Sequence, residues 1–480
     1  MIRRSFGAAL APVILALTTL GGAAMAAPPV SPPAPLAPAA DQAEARAILK
    51  ELVEINTTHA QGTLAAAEAL RVRFLKAGFA EGDLQLLAPA EHPKSASLVV
   101  RYHGKGVGKP VLFMGHLDVV EARREDWSMD PFKLTEQDGY FYGRGSGDMK
   151  SGDAVMAQAL MRLKRQGYVP DHDIIVMFTA DEEAGGDANG PEYLLKAHRP
   201  LIEAATAYNF DGGGGVLKDG KRSYYALGTS EKVYLTFALE TTSPGGHGSL
   251  PGPDNAIYRL ADGLARIEAY AFPVITTATT RAGFKAFADL DPGPGTADMR
   301  AMSGPTPDPE AAARLSKTVF LNAELRTTCV ATLISGGHAE NALPQRAKAT
   351  IQCRMMPGDT TANVQATLVR VLNDPKISVA VDTAAIVSPE SPPTPEVMGR
   401  LEPVIHAMWP GAPIVPTMAT GFSDGRQTRN AGIPTYDVGG LWGEAGENRA
   451  HGRDERIQVK AFDESVEYAW RLMKALGAGK

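Results

Sequence analysis

The sequence predicts an α/β fold, a mostly parallel sheet with helices on both faces, into which a smaller β-α-β-β-α-β unit is inserted. Three observations carry this. Apolar, β-branched runs alternate with amphipathic helical stretches over residues 41–227, the pattern changes after Gly228, and it returns beyond a Pro-rich segment at 388–395.

Residues 43–54 read as a helix with Ile48, Leu49, Leu52 and Ile55 on one face, and residues 64–77 as a second helix closed by Gly78. Residues 98–102, 111–114 and 174–179 are apolar runs bounded by polar or Gly residues, the pattern of buried strands. Between them, residues 151–165 place Val155, Met156, Leu160 and Leu163 at helical spacing and stop at Gly167. Residues 207–210 make another short strand. In the insert, strand 233–240, helix 255–270, strands 327–335 and 347–355, helix 361–372 and strand 377–381 follow the ferredoxin-like order. Residues 271–320, rich in Ala, Gly and Pro, receive no assignment. Helix 396–408, strand 435–438 and helix 460–476 complete the larger domain. That domain is thus expected in two parts, 41–227 and 389–480, around an insert at 228–388.

Composition agrees with two domains. The chain has 480 residues, 44% of them hydrophobic, which exceeds the roughly 250–300 residues one core holds and excludes a disordered chain. The formal charge is −6 with no Lys/Arg block. The electrostatic footprint of a nucleic-acid partner is absent.

The N-terminus reads as an export signal over residues 1–26. Arg3 and Arg4 precede an apolar run at 6–20, and Ala24-Met25-Ala26 offers a cleavage site after Ala26. The alternative is an uncleaved anchor, but the run falls short of about 20 residues and Pro12 interrupts it. No Cys sits at the cleavage point for lipid attachment. The mature chain is expected to be exported, periplasmic or secreted, with no stable membrane association. Residues 27–40, with six prolines between Pro28 and Pro38, read as an extended tether.

In open α/β sheets, ligands gather beyond the carboxyl ends of the strands. Strand 111–114 leads into His116 and Asp118, strand 174–179 into Asp181-Glu182-Glu183, and strand 207–210 into Asp211. The Gly-rich stretch 142–150 delivers Asp148 to a helix start. Singly, each is ordinary: Asp148 could be an N-cap, the acidic run a solvated turn, and Asp211 a turn residue before four glycines. Together they place an imidazole and several carboxylates at one sheet edge, a donor set that suits Zn²⁺ or a similar divalent ion.

Several segments occur in a telling order: Gly-His-Leu-Asp-Val-Val (115–120), Tyr-Gly-Arg-Gly-Ser-Gly-Asp-Met-Lys (142–150), Ala-Asp-Glu-Glu-Ala-Gly-Gly (180–186), Ser-Pro-Gly-Gly-His-Gly-Ser (243–249) and Ala-His-Gly-Arg-Asp-Glu-Arg-Ile (450–457). This order resembles the co-catalytic zinc metallopeptidase family of glutamate carboxypeptidase, acetylornithine deacetylase, succinyl-diaminopimelate desuccinylase and aminoacylase. Its vacuolar carboxypeptidase and N-acyl amino acid hydrolase branch looks most similar.

The resemblance implies a zinc-peptidase-like catalytic domain with a lid and dimerisation insert, and two Zn²⁺ per chain, replaceable by Co²⁺ or Mn²⁺. His116 and Asp211 would bind one ion, Glu183 and His451 the other, and Asp148 both. Asp118 would orient the His116 imidazole. Glu182 would be the general base as hydroxide from a metal-acidified water attacks. His247 would stabilise the oxyanion, in relatives often from the partner of a homodimer, and Asn341 and Arg354 would bind substrate. Asp424 matches a family segment with a structural role. The implied activity is hydrolysis of an amide in a peptide (carboxypeptidase or dipeptidase) or, as the alternative, in an N-acyl amino acid. A silent binding protein on the same scaffold is the rival, opposed by the complete ligand set. Cys329 and Cys353, in consecutive strands of the insert, fall about opposite one another, either as a cross-strand disulfide or as two buried thiols.

Overall fold

The computed structural model describes residues 32–479 apart from 291, 292, 294 and 384. The expected export signal and the first five tether residues lie outside these. The rest of the tether is laid on the protein body: Ala34 N donates to Ala407 O at 2.7 Å, and Ala37 is buried. The first helix, Ala39–Glu54, begins inside the range read as tether, directly after Pro38.

In chain order the first seven strands of the larger sheet are β1 (Leu84–Leu87), β2 (Ser97–Tyr102), β3 (Val111–His116), β4 (Ile174–Thr179), β5 (Thr206–Asn209), β6 (Gly214–Lys218) and β7 (Lys221–Glu231). The chain then builds β8 (Val233–Thr242), β9 (Thr328–Gly336), β10 (Arg346–Met355) and β11 (Ile377–Thr383) before returning with β12 (Ile414–Ala419), β13 (Thr435–Asp437) and β14 (Trp442–Glu444). The larger sheet runs β1-β2-β4-β3-β5-β13-β7-β6-β14, with β12 beside β7. Its centre, β4-β3-β5-β13, is parallel, while β1-β2-β4 and the β6-β7 hairpin add antiparallel pairs.

The unbroken apolar runs of β3 and β4 have a simple cause. Successive side chains point to opposite faces. Val111 and Phe113, with Ile174, Val176 and Phe178, enter the core beneath helices Ala39–Glu54, Lys150–Arg165 and Val459–Gly477. Leu112 and Met114, with Ile175 and Met177, pack on the other face with Leu194 and Ile202. Lys150, fully buried, donates from Nζ to the carbonyls of Leu52 (2.8 Å) and Ile55 (2.9 Å), so one cation closes the C-terminal end of the first helix.

The second sheet is antiparallel in the order β9-β10-β8-β11. Numbered within the unit, that is 2-3-1-4. Leu235, Phe237 and Leu239 of β8 alternate into a core shared with Leu260 and Ile267 of helix Ala256–Ala269 and Leu368 of helix Thr361–Leu372. Residues 271–320, unassigned from sequence, hold most of a four-helix cluster: Ala278–Leu290, Thr296–Met302, Pro309–Leu315 and Val319–Leu325. Phe284, Met302, Leu315 and Leu325 form its small core. The cluster packs beside β12, where Gly283 is needed because a Cβ would lie 2.8 Å from Pro416 O. The β6-β7 hairpin also escaped the sequence reading, although Asp219 and Gly220 form its turn with φ of 53° and 73°, as two-residue hairpin turns of the I′ type require.

Cys329 and Cys353 face each other in the β9-β10 register and form a disulfide, which decides between the two alternatives. Denatured, unreduced protein should therefore titrate no free thiol. Replacing both cysteines by Ser removes a cross-link over 24 residues and should cost about 3 kcal/mol in denaturant unfolding.

Candidate metal centre

Three strand ends and two loops converge on one cluster. β3 ends on His116, whose buried imidazole lies with Nδ1 3.0 Å from the Asp118 carbonyl oxygen. That contact turns Nε2 toward Asp148 Oδ1 at 3.0 Å and Asp211 Oδ1 at 3.5 Å. Asp211 follows β5, and its N–H donates to Asn209 Oδ1 at 3.2 Å. Asp148 stands just before helix Lys150–Arg165, where the helix dipole favours a carboxylate. Its second oxygen, Oδ2, is 3.2 Å from His451 Nε2, which is also 2.9 Å from Glu183 Oε1. One carboxylate thus stands between two imidazoles, and each imidazole has a second carboxylate beside it. His451 adopts φ of 62°, a left-handed conformation that costs a non-Gly residue about 1 kcal/mol or more.

Glu182 and Glu183 occupy the turn after β4, where neighbouring side chains diverge. The Asp118 carboxylate holds that turn, accepting from Glu182 N at 3.1 Å and Glu183 N at 3.0 Å. That carboxylate also lies 3.6 Å from His116 Nδ1, so Asp118 faces the imidazole with both its carboxylate and its backbone carbonyl. Glu182 is 5% exposed, and its Oε1 is buried without a hydrogen-bond partner.

The electrostatics follow from packing four carboxylates and two imidazoles in a largely buried space. Burial pushes the Asp211 carboxyl up to about 7 and that of Glu182 well above the usual range. Burial also opposes charge on Asp148, but its hydrogen bonds to His116 and His451 prevail and hold it down. His451 is raised to about 10 by Asp148 and then Glu183. The cluster carries more negative charge than its imidazoles can balance. Two donor groups, His116/Asp148/Asp211 and Asp148/Glu183/His451, each bring one ligand atom per residue within 4.8 Å of the others. Oxygen and imidazole nitrogen donors at this spacing, sharing Asp148, fit a pair of divalent cations.

Glu455 is the residue that sequence reasoning missed, although it stands in the quoted segment around His451. Its Oε1 accepts from Gly147 N (2.7 Å) and Asp148 N (3.0 Å), and its Oε2 from Gly145 N (3.1 Å) and Arg144 Nη1 (2.6 Å). The Gly-rich loop that presents Asp148 is therefore wrapped on this one carboxylate. Asp424, buried, accepts from Thr179 Oγ1 (2.5 Å) and Asn189 Nδ2 (2.8 Å), below the Glu182 turn.

The insert contributes less directly. Arg354 of β10 lies over the rings of Tyr234 (4.9 Å) and Phe422 (5.4 Å), and its Nη1 is buried without a partner. His247 and Asn341 are exposed and adjacent: Gly248 N donates to Asn341 O at 2.7 Å, and Ser249 Oγ lies 2.7 Å from His247 Nδ1. Among the described residues, no hydrogen bond or ion pair joins these three to the cluster.

A family profile described as Peptidase family M20/M25/M40 matches residues 112–475. The chain is 28% identical over 377 residues to the N-fatty-acyl-amino acid synthase/hydrolase PM20D1 of Homo sapiens, covering 76% of this chain and 74% of that protein. It is 28% identical over 404 residues to the probable carboxypeptidase S-like 2 of Dictyostelium discoideum, covering 78% and 73%. Its fold is similar to the crystal structure of an M20 family metallo-carboxypeptidase from Sulfolobus solfataricus, with a TM-score of 0.67 and 17% identity over 90% of this chain and 99% of that one.

Glu455→Ala should strand the Arg144 guanidinium, 3% exposed, and lower stability by about 3–5 kcal/mol. Glu455→Gln keeps the size and some of the acceptors. It should fold, and calorimetric titration should show zinc affinity weakened roughly 10- to 100-fold through the displaced Asp148 loop.

Proposed function

Because the chain belongs to peptidase family M20/M25/M40, and is a hydrolase of that family, we propose that it cleaves an amide next to a free carboxylate, in a peptide or an N-acyl amino acid. The observation that carries this reading is Asp148, with its two oxygens 3.0 Å from His116 Nε2 and 3.2 Å from His451 Nε2, beside the unpartnered Glu182. His116 and Asp211 would hold one Zn²⁺, Glu183 and His451 a second, and Asp148 both, with Co²⁺ or Mn²⁺ as substitutes. Bound there, the ions would polarise the scissile carbonyl and acidify a water molecule.

The chain's own groups supply the rest. Glu182 takes a proton at its free oxygen from the attacking water and returns it to the leaving nitrogen. Its burial suits the return of the proton, since it raises the carboxyl above its ordinary range and so favours the protonated form. Arg354 offers an unpaired N–H to the substrate carboxylate, and its stacking on Tyr234 and Phe422 fixes the plane of the fork. His247, with Asn341 beside it, would donate to the developing oxyanion from a partner subunit.

A homodimer through the insert is part of the same proposal. β9 is the edge strand of its sheet and exposes Val330, Leu333 and Ile334 at 55%, 67% and 65%, the kind of bare edge that natural proteins cover. The 2-3-1-4 strand order supports the ferredoxin-like reading of this unit. Export to the periplasm or beyond is proposed from residues 1–26. No helix among the described residues is long and apolar enough to cross a membrane.

Chelation should abolish hydrolysis of N-acetyl amino acids or dipeptides, and Zn²⁺ or Co²⁺ should restore it. Glu182→Gln should bind the same two equivalents of zinc by calorimetry while kcat falls roughly 10²- to 10⁴-fold. Unchanged turnover would refute the role of Glu182, and full metal loading with no turnover of any amide by the unsubstituted protein would favour the silent binder. Ile334→Lys should shift sedimentation from dimer to monomer. If His247 acts across the interface, turnover falls in the same step.

A further inference from the structure

The turn after β4 that presents Glu182 is held at both ends. Asp118 accepts from its amides, and Asp181, immediately before Glu182, accepts at its carbonyl oxygen from Gly185 N at 3.0 Å. Asp181 adopts φ of 53°, a left-handed conformation that few side chains besides Asp and Asn take readily. Its side chain is 1% exposed. Oδ2 is buried without a hydrogen-bond partner, and Oδ1 lies 3.1 Å from Nδ1 of His59. A carboxylate only accepts, so Nδ1 carries the proton of this bond. A carboxylate buried this deeply depends on its one side-chain partner to offset the loss of water. That partner comes from the tight turn at 58–62, after the first helix. Thr57 Oγ1 donates to Leu117 O at 2.7 Å, Val119 N to Thr57 O at 3.2 Å, and Gly62 N to Thr58 O at 2.9 Å. Gly62 is required there, because a Cβ would fall 2.6 Å from Lys94 O. The turn is thereby fixed to the segment 117–119 that carries Asp118, and His59 reaches from it to the neighbouring strand end.

We propose that His59 is a positioning residue for the proton-transfer step: by holding the Asp181 carboxylate, it fixes the left-handed residue from which the chain enters Glu182, and so sets where the Glu182 carboxyl reaches. The proposal rests on the hydrolase reading above, in which Glu182 moves the proton. Without the imidazole, the Asp181 carboxylate is buried with no side-chain partner. The turn relieves this by rotating Asp181 toward water, and Glu182, its neighbour, moves with it. A reacting group displaced by about 1 Å costs up to about 100-fold in rate. Contacts that bind the substrate elsewhere are untouched by such a shift, so the loss falls on kcat.

His59 suits substitution because its side chain is 64% exposed. On the full chain at saturating zinc, His59→Ala should lower kcat for N-acetyl amino acids or dipeptides about tenfold or more, with KM within about twofold. Hydrogen-exchange mass spectrometry over residues 180–186 reads the turn without turnover. Exchange there should quicken about fivefold or more in His59→Ala, with and without zinc. His59→Asn keeps a side-chain N–H within reach of Asp181 and should return both readouts to within about threefold of the unsubstituted chain. Gly at position 181 takes a positive φ at no steric cost and has no carboxylate to strand. In an Asp181→Gly background, His59→Ala should therefore change kcat by less than about twofold. Unchanged kcat and exchange in His59→Ala, a loss that His59→Asn fails to repair, a rise in KM alone, or an undiminished loss beside Asp181→Gly would each overturn the role. Amide cleavage indifferent to His59 would sink this proposal and leave the hydrolase reading standing. Exchange that quickens in His59→Ala and recovers in His59→Asn, on a chain that cleaves no amide, would do the reverse.

Discussion

Glu455 reaches from the loop before the C-terminal helix into the turn formed by residues 143–148, and four N–H groups close on its two oxygens. Three residues of that turn are Gly and carry no side chain to pack, and Arg144 and backbone bonds to the Pro131 and Glu455 carbonyls supply its other anchors. A buried carboxylate with a guanidinium partner and three backbone donors is well compensated, whereas any one of these groups alone would be costly at that depth. The same contact brings the segment that carries His451 to the segment that carries Asp148. Two parts of the chain some 300 residues apart are thereby locked together at the point where the two halves of the donor set meet.

Around that lock the larger sheet acts as a rigid rack. β3, β4 and β5 are buried on both faces, so their carboxyl ends cannot shift without disturbing a close-packed core. His116, the Glu182–Glu183 turn and Asp211 inherit that rigidity. Asp118 ties the first two together by holding the turn with its carboxylate and the imidazole with its carbonyl. The crowding of acids at the cluster is thus built in by the scaffold. The insert is attached differently. Its sheet is separate, its core is its own, and it sends Arg354 toward the cluster through aromatic stacking with Phe422 of the larger domain.

How much of this could be read from the chain depended on the range of the interaction. The strands at 111–116 and 174–179 and the helix at 361–372 were legible because burial on both faces, or on one stripe, imposes a local pattern of residues. The β6-β7 hairpin carries an Asp-Gly signal at 219–220, but its flanking strands do not alternate cleanly, so the local pattern does not specify them. The helices of residues 278–325 were not legible, because they are short and Ala-rich and gain their stability from Phe284, Met302 and Leu325 meeting one another beside β12.

For the site, the sequence by itself determined that His116, the acidic run at 181–183 and Asp211 follow strand ends and that Asp148 ends a Gly-rich stretch, while His451 entered only through the family resemblance. A strand end is a local feature, and the sheet places all such ends at one edge. Only the tertiary structure decided that Glu455 holds the Gly-rich loop, that the Asp118 carboxylate also holds the 182–183 backbone, that Cys329 and Cys353 are joined, and that a cleft walled by Trp442 and Val216 opens beside Asp148. Each of these is a choice among competing partners, and the competition is settled only when distant segments are brought within the 3–4 Å over which hydrogen bonds and packing act.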